Sequence, residues 1–192
     1  MADQFTRDDA PAVTSKRSEV RDQATEDLIE GKGSAVTVRA VTINKPVAEV
    51  YARFRDFARL PEFMENVVRI DVLDDKRSHW VVKGPHDNVE WDARITEEKP
   101  ERLIAWTSED GADIANSGRV EFRDAGARGT VVSATIAYDP PGGMIGKVIA
   151  KMFQREPAIQ ARRDLRRFKQ LLETGEIATS AMNMAQHEEE AH

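Results

Sequence analysis

Between residues 34 and 175 the apolar positions follow two rhythms in turn, period two and then helical. Ala35–Ile43 is rich in Val and Thr and predicts a strand, because β-branched residues suit a pleated, half-buried surface. Asn44-Lys45-Pro46 predicts a helix start, with Asn44 as N-cap and Pro46 in the first turn, where a missing N–H costs nothing. Val47, Val50, Tyr51 and Phe54 recur at helical spacing. A short second helix is predicted near Phe57–Met64, interrupted at Pro61. Six further strands are predicted at Val67–Leu73, His79–Gly84, Asn88–Glu97, Arg102–Ser108, Gly118–Arg123 and Gly129–Asp139. The turn chemistry between them (Asp74-Asp75-Lys76, Lys99-Pro100-Glu101, Asp110-Gly111) is short enough to make sequential neighbours pair antiparallel.

Alternation assigns faces. Val89, Trp91, Ala93 and Ile95 share one face and Glu90, Asp92 and Arg94 the other. Val120 and Phe122 oppose Arg119, Glu121 and Arg123, and Val132, Ala134, Ile136 and Tyr138 point inward together. A long last helix is predicted over Gly143–Glu173. Its second half carries Ala158, Ala161, Leu165, Phe168 and Leu172 at spacings of 3, 4, 3 and 4, a narrow apolar stripe. Its first half is broader, with Met144, Ile145, Val148, Ile149, Met152 and Phe153, and Pro157 between the halves predicts a bend.

Composition changes the picture mainly at the ends. Of the net charge of −6, residues 1–33 hold −3 (five basic, eight acidic) and residues 176–192 hold −4, leaving +1 on 34–175. Residues 1–33 are polar with Phe5 as their one aromatic, and both ends are read as disordered tails flanking one domain at 34–175. A near-neutral domain gives no field for nucleic acid. Zero cysteines exclude a disulfide framework and a thiolate zinc site. Met1 to Gly33 holds no apolar leader segment, and no run approaches the ~20 residues that span a bilayer. A cytoplasmic location is expected.

The order strand, two short helices, six strands, long helix resembles the helix-grip arrangement of the SRPBCC (START-like) superfamily. Within it the chain is most similar to bacterial polyketide cyclase/dehydrase proteins and the coenzyme Q-binding START group. The matching residues are Ile43 with Pro46 and Val50-Tyr51, Leu60 to Met64, Trp91, Gly118 with Val120 and Phe122, Gly129-Thr130, Tyr138 to Gly143, and Asp164-Leu165 with Phe168-Lys169. The resemblance implies an α+β fold: a curved antiparallel sheet of about seven strands wrapped around the C-terminal helix. It also implies an apolar cavity between sheet and helix for a lipid, isoprenoid quinone or polyketide-like molecule, or a cyclase or dehydratase working in that cavity.

The residues predicted to line it are Trp91, Trp106, Phe122, Ile136, Tyr138, Met144, Val148, Met152 and Phe153, with His86, Gly142 and Gly143 at the rim. Aromatic and Met side chains offer flat and adaptable apolar contact, and each is equally suited to an ordinary core. Tyr138 offers a hydroxyl to a ligand or a local bond at a strand end. Asn116 and Ser117, placed before Gly118 at a strand entry, offer ligand hydrogen bonds or turn contacts. No phosphate loop, dinucleotide fingerprint, nucleophile elbow or zinc motif is present, so no cofactor, metal or catalytic residue is assigned. Eight basic residues between Lys147 and Lys169 make the last helix a solvated face or a weak contact for an anionic membrane surface.

Overall fold

The computed structural model describes residues 35–84, 87–139 and 157–178. Seven strands form one antiparallel sheet: β1 (Ala35–Ile43), β2 (Val67–Val72), β3 (Arg77–Val82), β4 (Val89–Lys99), β5 (Leu103–Ser108), β6 (Ala115–Asp124) and β7 (Thr130–Asp139). Their order is β1-β7-β6-β5-β4-β3-β2, a meander from β2 to β7 with β1 added beside β7. Between β1 and β2 lie helix α1 (Val47–Arg55) and a 3-10 helix (Phe57–Glu62) that contains Pro61. The C-terminal helix is described as α2 (Pro157–Thr174). This is the curved seven-stranded helix-grip α+β fold. The first half of the expected long helix and its bend lie outside the described residues, as do most of the two tails.

The apolar stripe of α2 is what holds it. Phe168 is fully buried, Leu165 nearly so, and Leu172 packs at the edge of the same cluster. Phe168 stacks on Phe63 at 4.5 Å between ring centroids and meets Phe54 edge-on at 5.7 Å. One core therefore joins α2, α1, the 3-10 helix and the inner faces of β5 to β7. Polar bonds brace the same contact. Lys169 Nζ donates to the Thr42 carbonyl at 2.6 Å, Arg167 Nε to the Phe63 carbonyl at 3.1 Å, and Arg163 pairs with Glu65 at 3.4 Å. Three of the basic residues of α2 thus fix the helix to its own domain, while Arg162 and Arg166 remain exposed.

Four local expectations are corrected. Asn44 does not cap α1: Pro46 occupies the cap position in an extended conformation (φ −58, ψ 146), which leaves Asn44 two residues too early. The Asn44 N–H is instead taken by Glu173 Oε1 at 2.6 Å. β3 starts at Arg77, because Asp74 Oδ1 accepts the N–H groups of both Lys76 and Arg77 and closes the turn before it. β4 runs on to Lys99 through an irregularity between Ile95 and Glu97. β6 starts at Ala115, so Asn116 and Ser117 lie inside the strand, opposite Tyr138 and Ala137.

The β6–β7 turn requires a glycine. Gly129 has φ +87, and a Cβ there would sit 2.1 Å from the Ile43 carbonyl oxygen. Neither the conformation nor the space admits another residue. Next to it the Thr130 hydroxyl donates to the Lys45 carbonyl at 2.8 Å, which ties the entry to α1 to the β6–β7 turn.

Candidate functional site: a cavity between the sheet and the C-terminal helix

A cavity of about 140 Å³ lies between the inner face of the sheet and α2. Its floor follows from strand register. Ile104, Val120 and Ala134 form one row across β5, β6 and β7. Ile95, Trp106, Gly118 and Ile136 form the next, from β4 to β7. The absent side chain at Gly118 lets the Trp106 indole lie across β6, since a Cβ there would come within 2.5 Å of the ring. A third row pairs Trp80 with Trp91, their rings stacked at 6.2 Å and nearly parallel. The roof is Ala161 and Leu165 of α2, and the side wall is Phe57, Leu60, Phe63 and Met64. Small residues at Ala93, Ala134 and Ala161 recess the walls where larger side chains would meet and fill the space.

All three tryptophans of the chain line this space. Trp80 and Trp106 spend their indole N–H groups within the protein, on Ser78 Oγ at 2.9 Å and on Asn116 Oδ1 at 3.4 Å. Asn116 is itself buried and donates to the Ile114 carbonyl. These pairings leave a wall that is overwhelmingly apolar.

Against it stand Asn66, Gln160 and Asp164, with Arg94 of β4 also on the border. Asp164 Oδ1 accepts from Gln160 Nε2 at 2.9 Å and from the Glu65 N–H at 3.3 Å. Burial nevertheless pushes its carboxyl up to about 7, against those two bonds and the Arg167 guanidinium, because charge is costly in an apolar wall. A carboxyl that titrates near neutrality inside a cavity is able to donate, accept or transfer a proton there.

Trp91, Trp106 and Ile136 are brought together on the cavity floor. Phe122 is placed elsewhere. It shares the inward face of β6, but α1 covers it, with Tyr51 edge-on at 5.4 Å and Phe54 at 5.7 Å. Met144, Val148, Met152, Phe153, His86, Gly142 and Gly143 lie outside the described residues, and Tyr138 is described by its backbone alone. Trp80, Asn66, Gln160 and Asp164 are additions. Trp80 alternates with Ser78 and Val82, a parity visible in the sequence. Asp164 is three residues after Ala161 and four before Phe168, so the stripe itself points it inward.

The charged face of β4 is turned outward. His79 lies there between Asp92 at 2.7 Å and Glu90 at 3.4 Å. The hydrogen bond to Asp92 is the largest influence holding its pKa above the usual histidine value. Arg77 makes two bonds to Glu109 beside it. Among the described residues, no helix is long and apolar enough to cross a membrane.

Comparison with known proteins agrees with this geometry. Residues 43–166 match the family model for polyketide cyclase / dehydrase and lipid transport. An uncharacterized 17.2 kDa protein from the melC2-rnhH intergenic region of Streptomyces lincolnensis is 33% identical over 137 residues, 70% of this chain and 87% of that one. A crystal structure from Deinococcus radiodurans is 43% identical with a TM-score of 0.61, covering 74% of this chain and 99% of its own. The Zhui aromatase/cyclase of Streptomyces sp. R1128 shares the fold, with a TM-score of 0.54 at 13% identity over 76% of this chain and 99% of that one. A family match that takes in β2 to β7 and the cavity-facing turns of α2 leaves one assignment: the chain belongs to the polyketide cyclase/dehydrase and lipid-transport family.

Proposed function

We propose that the domain binds a hydrophobic small molecule (a lipid, an isoprenoid quinone or a polyketide-like chain) with its apolar part between the sheet and α2. The observation that carries this reading is the aromatic cavity itself. Its 140 Å³ compares with the ~150 Å³ engineered apolar cavity that takes up benzene. It therefore has room for one ring or a short branched segment, the rest of a larger ligand lying beyond it. Affinity comes from burying apolar ligand surface, at roughly 25 cal/mol per Å² before the costs of ordering. A second reading, a cyclase or dehydratase in the same cavity, is favoured by Asp164, which supplies an acid–base group beside the space a reactive chain would fill.

Because every tryptophan lines the cavity, intrinsic emission reports occupancy without a label. Titration with indane, a benzene ring fused to a saturated five-membered ring, is expected to give a saturable blue shift as water leaves the indoles. An emission spectrum unchanged up to the solubility limit of indane would overturn the binding reading.

A further inference from the structure

We propose that the stretch of wall formed by Asn66, Gln160 and Asp164 is a polar subsite that receives the carbonyl oxygen of an otherwise apolar ligand. The inference rests on the ligand-binding reading above and gives that ligand a chemical class. Gln160 and Asp164 stand one turn apart on α2. The Glu65 N–H on Asp164 Oδ1 brings the segment between the 3-10 helix and β2 against that turn, and Asn66 is the next residue. All three border the one cavity.

Their unused capacity is specific. Asn66 Nδ2 is enclosed with no acceptor among the described residues. A buried donor left unpaired is costly, so such a group calls for a partner that the protein does not provide. Both bonds given to Asp164 end on Oδ1, which leaves Oδ2 to a guest. Elsewhere on the wall the indole donors of Trp80 and Trp106 are already committed. Of the polar groups that line the cavity, Asn66, Gln160 and Asp164 are therefore the set that the fold gathers at one place, apart from the Trp91 indole and Arg94 of β4.

The charged groups acting on Asp164 are Glu65 from the segment before β2 and Arg167 from α2 itself, with Arg163 adjacent in sequence. Arg163 is engaged by Glu65, and Arg167 by the Phe63 carbonyl. With its pKa up at about 7, the carboxyl carries a proton at pH 6 and donates through Oδ2. The subsite then presents two donors, Asn66 N–H and Asp164 O–H. A carbonyl oxygen has two lone pairs and no hydrogen of its own to place, so it satisfies both. A hydrocarbon end satisfies neither.

The test compares 1-indanone with indane, the same ring frame with and without a carbonyl, by calorimetric titration of the full chain at pH 6. In Asn66→Leu and in Asp164→Leu, indanone affinity is expected to fall about tenfold while indane affinity holds or tightens. Asp164→Asn keeps the Oδ1 acceptor and puts a permanent N–H donor at the other position. It is therefore expected to hold indanone affinity from pH 6 to pH 8, across which the wild type weakens several-fold. This third variant carries the test even if a leucine variant fails to fold. Indane binding together with an indanone affinity indifferent to residues 66 and 164 would overturn the subsite and leave the cavity reading standing. Failure of both compounds to bind the wild type would overturn both.

Discussion

Replacing Phe168 by alanine is expected to lower the unfolding free energy by about 3–5 kcal/mol, at the upper end of what a single core truncation costs. Phe168 has no exposed surface, and it stacks on Phe63, which has none either. Its other face meets Phe54, which in turn packs on Phe122. Truncation therefore removes the one aromatic side chain that α2 contributes to this set, and the rings left behind are fixed by their own neighbours and collapse only partly. A loss of this size is a large part of the stability of an ordinary domain. Leu172→Ala, at the edge of the same cluster, is expected to cost clearly less. Urea unfolding of the three proteins measures the difference as a shift in midpoint at constant slope. Equal shifts for Phe168→Ala and Leu172→Ala would show that α2 is not anchored where the stacking places it.

The second large effect has the opposite sign and depends on pH. Asp164→Asn is expected to stabilise the protein at pH 8 by on the order of 2–3 kcal/mol and to have little effect near pH 3. The folded carboxyl titrates at about 7, above its ordinary value of 3.8, chiefly because burial disfavours its charge. Below pH 3.8 it is protonated in both folded and unfolded chains and contributes no difference. Between there and pH 7 the unfolded chain has released the proton and the folded one has not, so wild-type stability falls as pH rises. Above 7 both forms are ionised and the deficit stays constant. The magnitude is set below the full linkage value of ~1.4 kcal/mol per pH unit, because the residue keeps some exposure. Asparagine retains an acceptor for Gln160 and the Glu65 N–H, so its gain over wild type should open from about pH 4 and level off above 7. Chemical unfolding of both proteins across that range checks it. A gap that is constant with pH would mean that the carboxyl is not perturbed.

The parts of this molecule that were legible in its sequence are those governed by local periodicity. The 3-4-3-4 stripe gave Leu165 and Phe168 as the buried face of α2, and alternation put Trp91 on the inner side of β4 and Glu90 and Asp92 outside. Turn residues gave the meander. What was not legible depends on register and on side-chain capture. That Trp106 lies opposite Gly118, and so leans over a strand with no side chain in the way, follows only from the β5–β6 pairing. Asp74 moves the start of β3 by folding two backbone N–H groups onto its carboxylate, which brings Trp80 into step with Trp91. Asn44 is not the cap because the helix begins one residue after Pro46, and its own N–H is spent on Glu173, 129 residues away. Asp164 is the instructive omission. Its spacing put it on the buried stripe, but its charge argued for solvent, and position prevailed at the cost of a raised pKa.

The central claim is that this gap in the interior exists to be filled by an apolar guest. Ala161 of α2 lines it from the roof and is only partly buried, so Ala161→Phe projects a ring into the gap without displacing the Phe63–Phe168 core. Indane affinity measured by tryptophan emission in the two proteins is the decisive quantity. The expected result is a variant with wild-type cooperativity of unfolding and an indane affinity at least about tenfold weaker, the loss of roughly 1.4 kcal/mol of apolar contact. An Ala161→Phe protein that folds and binds indane as tightly as the wild type would contradict the claim.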